Sequence, residues 1–241
     1  MEDLTLSILQ VHNTTLNASV TSGIPLNRWI IAEVMMIQEE PNNPKINKLR
    51  VLHKLEAGYN LVLKYHWPHQ TTHYAEKNNL LGENQWGTRP RRSADTITLI
   101  DELINEIHRI LYRSLATLQN DAAACFDRMI RNLSKLCSIF HYVPDSVCRL
   151  QANALNRMQY KIRTIHGTSS KTYSNSTEIH IHNQGQGTGS TGTTWEFHSI
   201  AMMRVIDFFC SGCVISSPNQ LYQLKKHVLG FVDDKRQYSN D

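Results

Sequence analysis

The sequence has no long apolar run and no secretion signal. None of its 241 residues belongs to a stretch approaching the roughly 18 consecutive apolar residues that a membrane span needs. Its opening stretch, MEDLTLSILQ, is acidic rather than basic and does not resemble a cleavable leader. We therefore expect no membrane partner.

The sequence also has few cysteines and a low net charge. Five cysteines, an odd and unevenly spaced set, argue against the disulfide framework of a secreted protein, so we predict an intracellular protein, in the nucleus or the cytoplasm. A formal charge of +4 permits a polyanionic partner without demanding one. Hydrophobic residues make up 41% of the chain, which is enough for a real core and excludes a disordered tail.

The hydrophobic pattern predicts an α+β fold, with a small antiparallel sheet backed by helices. Isoleucines spaced by three and four between residues 97 and 107 predict an amphipathic helix with Ser93 as its N-cap. The remaining predicted helices lie near residues 29–36, 129–140, 144–158 and 193–206, and the predicted strands at 115–120, 160–165, 177–182 and 227–232. The first 25 residues carry only weak periodicity and are expected to be peripheral.

Two of the predicted strands end in acids, Asp121 after the first and Asp233-Asp234 after the last. If these strands lie side by side, the carboxylates repel one another by a few kcal/mol per pair at an effective dielectric of about 20. A divalent cation among them would relieve that repulsion, and Mg²⁺ prefers such oxygen ligands. An Asp-Asp pair alone more often marks a surface turn, and Asp121 alone would serve to cap a helix. Their joint occurrence favours a metal site.

Four stretches resemble motifs of reverse transcriptases of the non-long-terminal-repeat retrotransposon and group II intron type. Residues 121–128 (DAAACFDR) are similar to the first catalytic motif: Asp, three variable residues, a small residue, an aromatic residue, Asp. Residues 185–190 (GQGTGS) resemble the second palm motif and 231–234 (FVDD) the third. Residues 85–93 (QWGTRPRRS) are similar to the fingers motif. The four occur in the family's order.

The resemblance implies the fingers and palm of a right-hand polymerase. It implies a peripheral segment at residues 1–27, fingers at 28–114 and a palm at 115–241, with the thumb missing because the chain stops seven residues after Asp234. The implied activity is RNA-directed DNA polymerisation by a retroelement fragment. Two Mg²⁺ ions, or Mn²⁺ in their place, would join dNTPs to the 3′-hydroxyl of a DNA primer on an RNA template.

Residue roles follow from the same resemblance. Asp121 and Asp233 would hold the metals and Asp234 would support them. Phe126 would be the steric gate under the sugar, and Gln186 with Gly187 would lie against the nucleotide. The basic residues implied to contact triphosphate or template are Arg50, Arg89, Arg91 and Arg92.

The sequence departs from these motifs in two places. Arg91 stands where the family usually has glycine, and Thr191-Gly192 replaces the usual Ser-Pro. A catalytically inactive, decayed remnant that at most binds nucleic acid is therefore the main alternative.

Two other chemistries fit the sequence less well. Cys210 and Cys213, with His180 and His182 upstream, could form a zinc site, although small cysteines ending a helix account for the pair better. A metal-dependent nuclease would use the same aspartates, but it leaves the Gln-Gly stretch and Phe126 unexplained.

Overall fold

The computed structural model describes residues 2–38, 45, 49–122, 125–126, 128–174, 184–217 and 219–240. Helices and strands are both abundant, so the fold is α+β, as the sequence predicts. The chain divides into two compact units, Met1–Thr71 with Phe126–Thr191 and Thr72–Cys125 with Gly192–Asp241. Each unit combines two separate stretches of chain, so the units do not coincide with the regions 1–27, 28–114 and 115–241. The names fingers and palm stay predictions.

The first unit contains a mixed sheet and several helices. Its elements are α1 (Glu2–Ser22), a 3₁₀ turn (Asn27–Ile30), β1 (Ile31–Gln38), β2 (Leu49–Lys54), α2 (Ala57–Lys64), α5 (Arg131–Phe140), α6 (Asp145–Arg157), β4 (Gln159–Thr164), β5 (Gly167–Thr168) and β6 (Tyr173–Ser174). The strand order is β2-β1-β4-β5, with β6 also beside β4. Strand β1 is antiparallel to β2 and parallel to β4. The strand predicted at 177–182 lies outside the described residues.

The prediction of a helix at residues 29–36 is wrong. Only the 3₁₀ turn is helical, and the chain then extends as β1, with Ala32 and Val34 buried on alternate positions. A short apolar run fits a buried strand as well as a helix, and pairing with two neighbouring strands decides the outcome here.

Helix α6 matches its prediction, while α5 matches in position but not in orientation. Residues 147, 150, 154 and 158, the apolar stripe predicted for α6, are buried. The face predicted for α5 carries Met129, Leu133, Leu136 and Phe140. Met129, which precedes the helix, is buried, whereas Leu133, Leu136 and Phe140 are exposed, by 43%, 63% and 62%. The buried side instead carries Ser134, Cys137 and Ser138. Ser138 accepts a hydrogen bond from Trp67 Nε1 at 3.3 Å, so a polar contact helps to set which side of α5 faces inward.

The N-terminal residues form a regular helix, α1, which packs against α6. Asn153 Nδ2 donates a hydrogen bond to the Gly23 carbonyl at 2.8 Å. None of the helices in the described part of the chain combines the length and the apolar character that crossing a membrane requires.

The second unit carries the small antiparallel sheet. Its elements are α3 (His73–Lys77), α4 (Ala94–Ile110), β3 (Ala116–Asp121), nearly all of α7 (Thr191–Phe209), β7 (Cys213–Ser216), β8 (Gln223–Lys226), β9 (Val228–Phe231) and β10 (Asp234–Ser239). A π-helical segment, Tyr65–Thr72, precedes α3. The sheet order is β3-β10-β9, and β7 pairs separately with β8.

Helix α4 backs this sheet. It begins as predicted, with Ser93 Oγ accepting a hydrogen bond from the Thr96 amide at 3.2 Å. Ile97 and Ile104 are buried in one cluster with Leu229 and Tyr238 of the sheet. The small antiparallel sheet backed by a helix is thus present in the structure.

Candidate functional site

The two acidic strand ends meet in the second unit. Strand β3 runs antiparallel to β10, and their register places Asp121 directly opposite Asp234. Side chains directly opposite in such a ladder lie on one face of the sheet, about 5 Å apart at their Cβ atoms. The sequence hypothesis required this meeting of residues distant in the chain, and the fold provides it.

Asp233 lies in the tight turn between β9 and β10. Phe231 pairs with Asp234, so Val232 and Asp233 are the two residues that connect the strands. Val232 has a φ of +56°, which is a rare conformation for a β-branched residue. Such a strained backbone persists only where its surroundings enforce it.

Two buried donors enforce the conformation of this turn. The Val232 carbonyl accepts hydrogen bonds from Trp195 Nε1 at 2.7 Å and from Gln85 Nε2 at 3.1 Å. A Cβ atom on Gly87 would lie 2.3 Å from the Val232 nitrogen, so only glycine fits beside the turn. The peptide group that leads into Asp233 is therefore held from two sides.

The motif that resembles the fingers motif supplies part of this support. The Trp86 amide donates to the Gly230 carbonyl at 2.8 Å, and the Gly230 amide donates to the Asn84 carbonyl at 2.9 Å. This loop therefore runs alongside β9 in the same unit as the three acids. Sequence reasoning did not find this role for Gln85 or Trp195. The only signal was the position of Gly87 in the motif, where a close approach of backbones is common.

The acids crowd one another. The pKa of Asp234 is raised first by partial burial and then by the negative charges of Asp121 and Asp233. Lys235 is buried, with Nζ 3.5 Å from the Asp233 carbonyl oxygen and 4.9 Å from the centre of the Trp195 ring. Cys125 Sγ lies 3.7 Å from Asp233 Oδ2. One buried ammonium group therefore accompanies three carboxylates.

The donor set suits a hard divalent cation. Mg²⁺ usually takes only one or two protein carboxylates and completes its shell with water and phosphate oxygens. The facing pair Asp121 and Asp234, with Asp233 in the adjoining turn, meets that requirement in ligand type. As the described side chains stand, no three or more acids, histidines or cysteines form a ready metal cluster. Metal binding stays a prediction.

The three arginines of residues 89–92 differ in their surroundings. Arg89 is buried and pairs with Glu76 at 2.6 Å, and its guanidinium also donates to the carbonyl of Gln85. Arg92 lies over the Trp86 ring at 4.8 Å and is partly exposed. Arg91 is exposed. Arg92 also pairs with Glu76, at 3.7 Å. Arg89 and Arg92 are thus engaged within the fold, whereas Arg91 presents its charge to solvent.

A buried acid, Glu196, lies on α7 behind this loop. Thr88 Oγ1 donates to Glu196 Oε2 at 3.0 Å, and Oε1 has no hydrogen-bond partner among the described residues. Burial raises the pKa of Glu196 to about 8, so the carboxyl group is mostly protonated at neutral pH. No motif in the sequence indicates a buried acid at this position.

The predicted nucleotide-contacting residues belong to the first unit. The Gln186 carbonyl accepts a hydrogen bond from the His53 amide at 2.8 Å, which joins the Gln-Gly stretch to β2. Gly187 has a φ of +97°, a conformation that favours glycine. Arg50 is an exposed residue of β2, and Phe126 is partly buried. Their predicted contacts with nucleotide stay predictions, and Asp127 of the first motif lies outside the described residues.

The alternative zinc ligands gain no support. Cys210 is exposed and Cys213 is buried, and both are free thiols. His180 and His182 lie outside the described residues. No metal-holding group involves these cysteines in the part of the chain that the structure describes.

Comparison with known proteins identifies the fold through structure alone. No protein-family model matches the chain, and no curated protein matches it significantly by sequence. Apo telomerase from Candida tropicalis, truncated from the C-terminal domain, superposes with a TM-score of 0.53 at 10% identity, covering 90% of this chain and 45% of that one. Candida tropicalis telomerase in complex with a TWJ fragment of telomeric RNA gives 0.55 at 10% identity, covering 98% and 40%.

The chain shares its fold with these telomerase structures over 90% or more of its length. It spans less than half the length of these telomerase chains. At 10% identity the likeness concerns the fold and does not extend to the activity.

In the second unit, a cavity of about 280 Å³ opens beside Asp234, between α4 and the sheet. Asp101 and Arg236, which form an ion pair, line it together with Tyr238. The Tyr238 hydroxyl donates to Asp101 Oδ1 at 2.6 Å. These contacts tie β10 to α4 next to the acidic pair.

Proposed function

We propose that this chain is the catalytic-core part of an RNA-directed DNA polymerase of a retroelement. The observation that carries the proposal is the register of the second unit's sheet, in which Asp121 faces Asp234 and Asp233 occupies the adjoining turn. The reverse-transcriptase-like fold and the order of the four motifs support the same assignment.

In this proposal Asp121 and Asp233 hold two Mg²⁺ ions, or Mn²⁺, and Asp234 supports them. When bound, the ions supply activation of the primer hydroxyl and stabilisation of the leaving pyrophosphate. The chain's own part is to present carboxylate oxygens from two paired strands at fixed separation. Without a cation these acids repel one another, so the site is poised to take one up.

The substrate contacts rest on the resemblance. Phe126 would crowd a 2′-hydroxyl and favour dNTPs, Gln186 and Gly187 would lie against the nucleotide, and Arg50 would contact the triphosphate. Among the three arginines of residues 89–92, Arg91 is the better candidate for template phosphates, because Arg89 and Arg92 both pair with Glu76. One telomerase of similar fold is complexed with RNA, which supports a nucleic-acid partner.

The test is RNA-templated primer extension with Mg²⁺, comparing the wild-type chain with Asp233→Asn. Asp145→Asn is the matched control, because Asp145 is an exposed acid on α6 in the other unit. We expect extension by the wild type and the control, and none by Asp233→Asn. Equal extension by Asp233→Asn refutes the metal assignment.

The same experiment distinguishes the decayed remnant. Binding of a labelled RNA–DNA hybrid is measured in parallel by fluorescence polarisation. If the wild-type chain binds the hybrid but extends no primer with either Mg²⁺ or Mn²⁺, it is the catalytically inactive remnant. The substitutions within the motifs, Arg91 and Thr191-Gly192, are the observations that favour this second candidate.

A further inference from the structure

The turn that carries Asp233 is held by side chains from two distant parts of the chain. Gln85 precedes Val232 by 147 residues and Trp195 precedes it by 37, yet both donate to its carbonyl. Gln85 is 1% exposed and Trp195 is 7% exposed, so both donors are buried, and the two bonds to the carbonyl are partly buried. A hydrogen bond in such surroundings fixes a peptide group more firmly than one at the surface.

Gln85 has its whole hydrogen-bonding capacity engaged. Its Nε2 donates to Ser199 Oγ at 2.7 Å as well as to the Val232 carbonyl. Its Oε1 accepts from the backbone amides of Trp86 and Gly87 at 3.0 and 3.3 Å. A side-chain amide offers two donors and one acceptor oxygen, and all are used. The orientation of Gln85 is therefore unique, and its donor points at the turn.

The Val232 carbonyl belongs to the peptide bond whose nitrogen is that of Asp233. Fixing this peptide plane fixes the direction in which the Asp233 side chain leaves the backbone. The left-handed φ of Val232 needs such enforcement. In metal sites, groups that orient a ligand without touching the metal are typically worth about 10- to 100-fold in affinity or activity.

We propose that Gln85 and Trp195 are positioning residues that aim Asp233 at the metal through the Val232 carbonyl. This inference rests on the proposed function, because it concerns the same acids. It assigns to the Gln-Trp-Gly loop a role in the geometry of the acidic turn in addition to any contact with template.

The decisive variant is Trp195→Phe, which removes the indole N–H and keeps an aromatic ring. Trp29→Phe is the matched control, because Trp29 Nε1 is buried and has no hydrogen-bond partner among the described residues, and Trp29 lies in the other unit. Gln85→Leu removes the second donor independently and answers the same question if Trp195→Phe does not fold. Urea unfolding of each variant establishes that it is folded.

The first readout is Mn²⁺ affinity, measured by electron paramagnetic resonance titration without substrate. We expect Trp195→Phe and Gln85→Leu to weaken Mn²⁺ binding about tenfold or more, and Trp29→Phe to leave it unchanged. In single-turnover extension the two variants should need more Mg²⁺ for half-maximal rate while primer–template affinity stays constant. A merely structural role would lower the active fraction and leave the Mg²⁺ requirement unchanged.

The positioning role is wrong if Trp195→Phe and Gln85→Leu fold and bind Mn²⁺ as tightly as the wild type, with the same dependence on Mg²⁺. Asp233→Asn is included to separate this from failure of the proposed function. If Asp233→Asn loses Mn²⁺ and the donor variants do not, only the positioning role is wrong. If Asp233→Asn binds Mn²⁺ like the wild type, the metal site itself is wrong.

Discussion

Replacing Asp121 or Asp234 by asparagine should stabilise the metal-free protein. The two carboxylates face each other across the β3–β10 ladder, and both residues are exposed to solvent. Like charges directly opposite in a sheet are destabilising. Each asparagine removes one charge and keeps nearly the same shape, so it should relieve the repulsion.

The expected gain is about 1 kcal/mol. For unit charges about 5 Å apart, Coulomb's law gives about 0.8 kcal/mol in water and about 3 kcal/mol at an effective dielectric of 20. Exposure of both residues favours the lower value. Removing either charge relieves the same 121–234 repulsion, so the gain of the double variant should fall short of the sum of the two single gains by the pair energy.

The assay is urea unfolding of the wild type, both single variants and the double variant in EDTA at low salt. Asp95→Asn is the matched control in the same unit. Asp95 lies in the first turn of α4, where a negative charge is favourable, so its loss should cost about 0.3–1 kcal/mol. High salt should abolish the gains at 121 and 234. With Mg²⁺ at ten times its dissociation constant, the wild type and Asp95→Asn should each gain about 1.4 kcal/mol, and the variants at 121 and 234 should not.

Two outcomes would refute this reasoning. Single variants no more stable than the wild type in EDTA would mean that the acids do not repel at close range. Additive gains in the double variant would mean that the two acids act on stability separately. Either result removes the crowding that makes a cation site attractive here.

Four further substitutions test the surrounding contacts. Because burial raises the Glu196 pKa to about 8 from 4.5, the folded state keeps a proton that the unfolded state releases, and stability should fall as pH rises between these values. Glu196→Gln should flatten that fall, as measured by urea unfolding at about pH 5 and about pH 8; an unchanged slope contradicts the assignment. Gly87→Ala should destabilise by about 1–3 kcal/mol in the same measurement, because its Cβ would lie 2.3 Å from the Val232 nitrogen. Arg89→Met should cost about 2 kcal/mol of stability through the lost Glu76 pair. Arg91→Ala should leave stability unchanged and reduce by about 1 the slope of the logarithm of the hybrid-binding constant against the logarithm of salt concentration. A loss of stability in Arg91→Ala together with a reduced slope in Arg89→Met would contradict the placement of these two arginines.

The elements that the sequence predicted well are those with a strong local pattern. Helix α4 combines a regular isoleucine spacing with a capping serine, and both signals lie within a few residues of each other. Strands β3 and β9 are short and end at charged or turn residues, which also marks them locally. The chemical character of the acids at 121, 233 and 234 was equally visible, because residue type alone makes them cation ligands.

The misplaced elements lack such a pattern. Strand β1 is a short apolar run that suits a strand or a helix, and its two sheet partners decide between them. Helix α5 buries small polar residues and exposes Leu136 and Phe140, contrary to the usual orientation of an apolar stripe. No local rule predicts this, because which side faces inward depends on neighbours such as Trp67.

By itself the sequence determined which residues carry charge, where the periodic helices lie and in what order the motifs occur. These properties depend on residue type and on spacing within a few turns of chain. Only the tertiary structure decided that Asp121 faces Asp234, and that Gln85 and Trp195 both donate to the carbonyl before Asp233. Those contacts join residues from 37 to 147 positions apart, and the sheet register that creates them is set by packing across the whole unit.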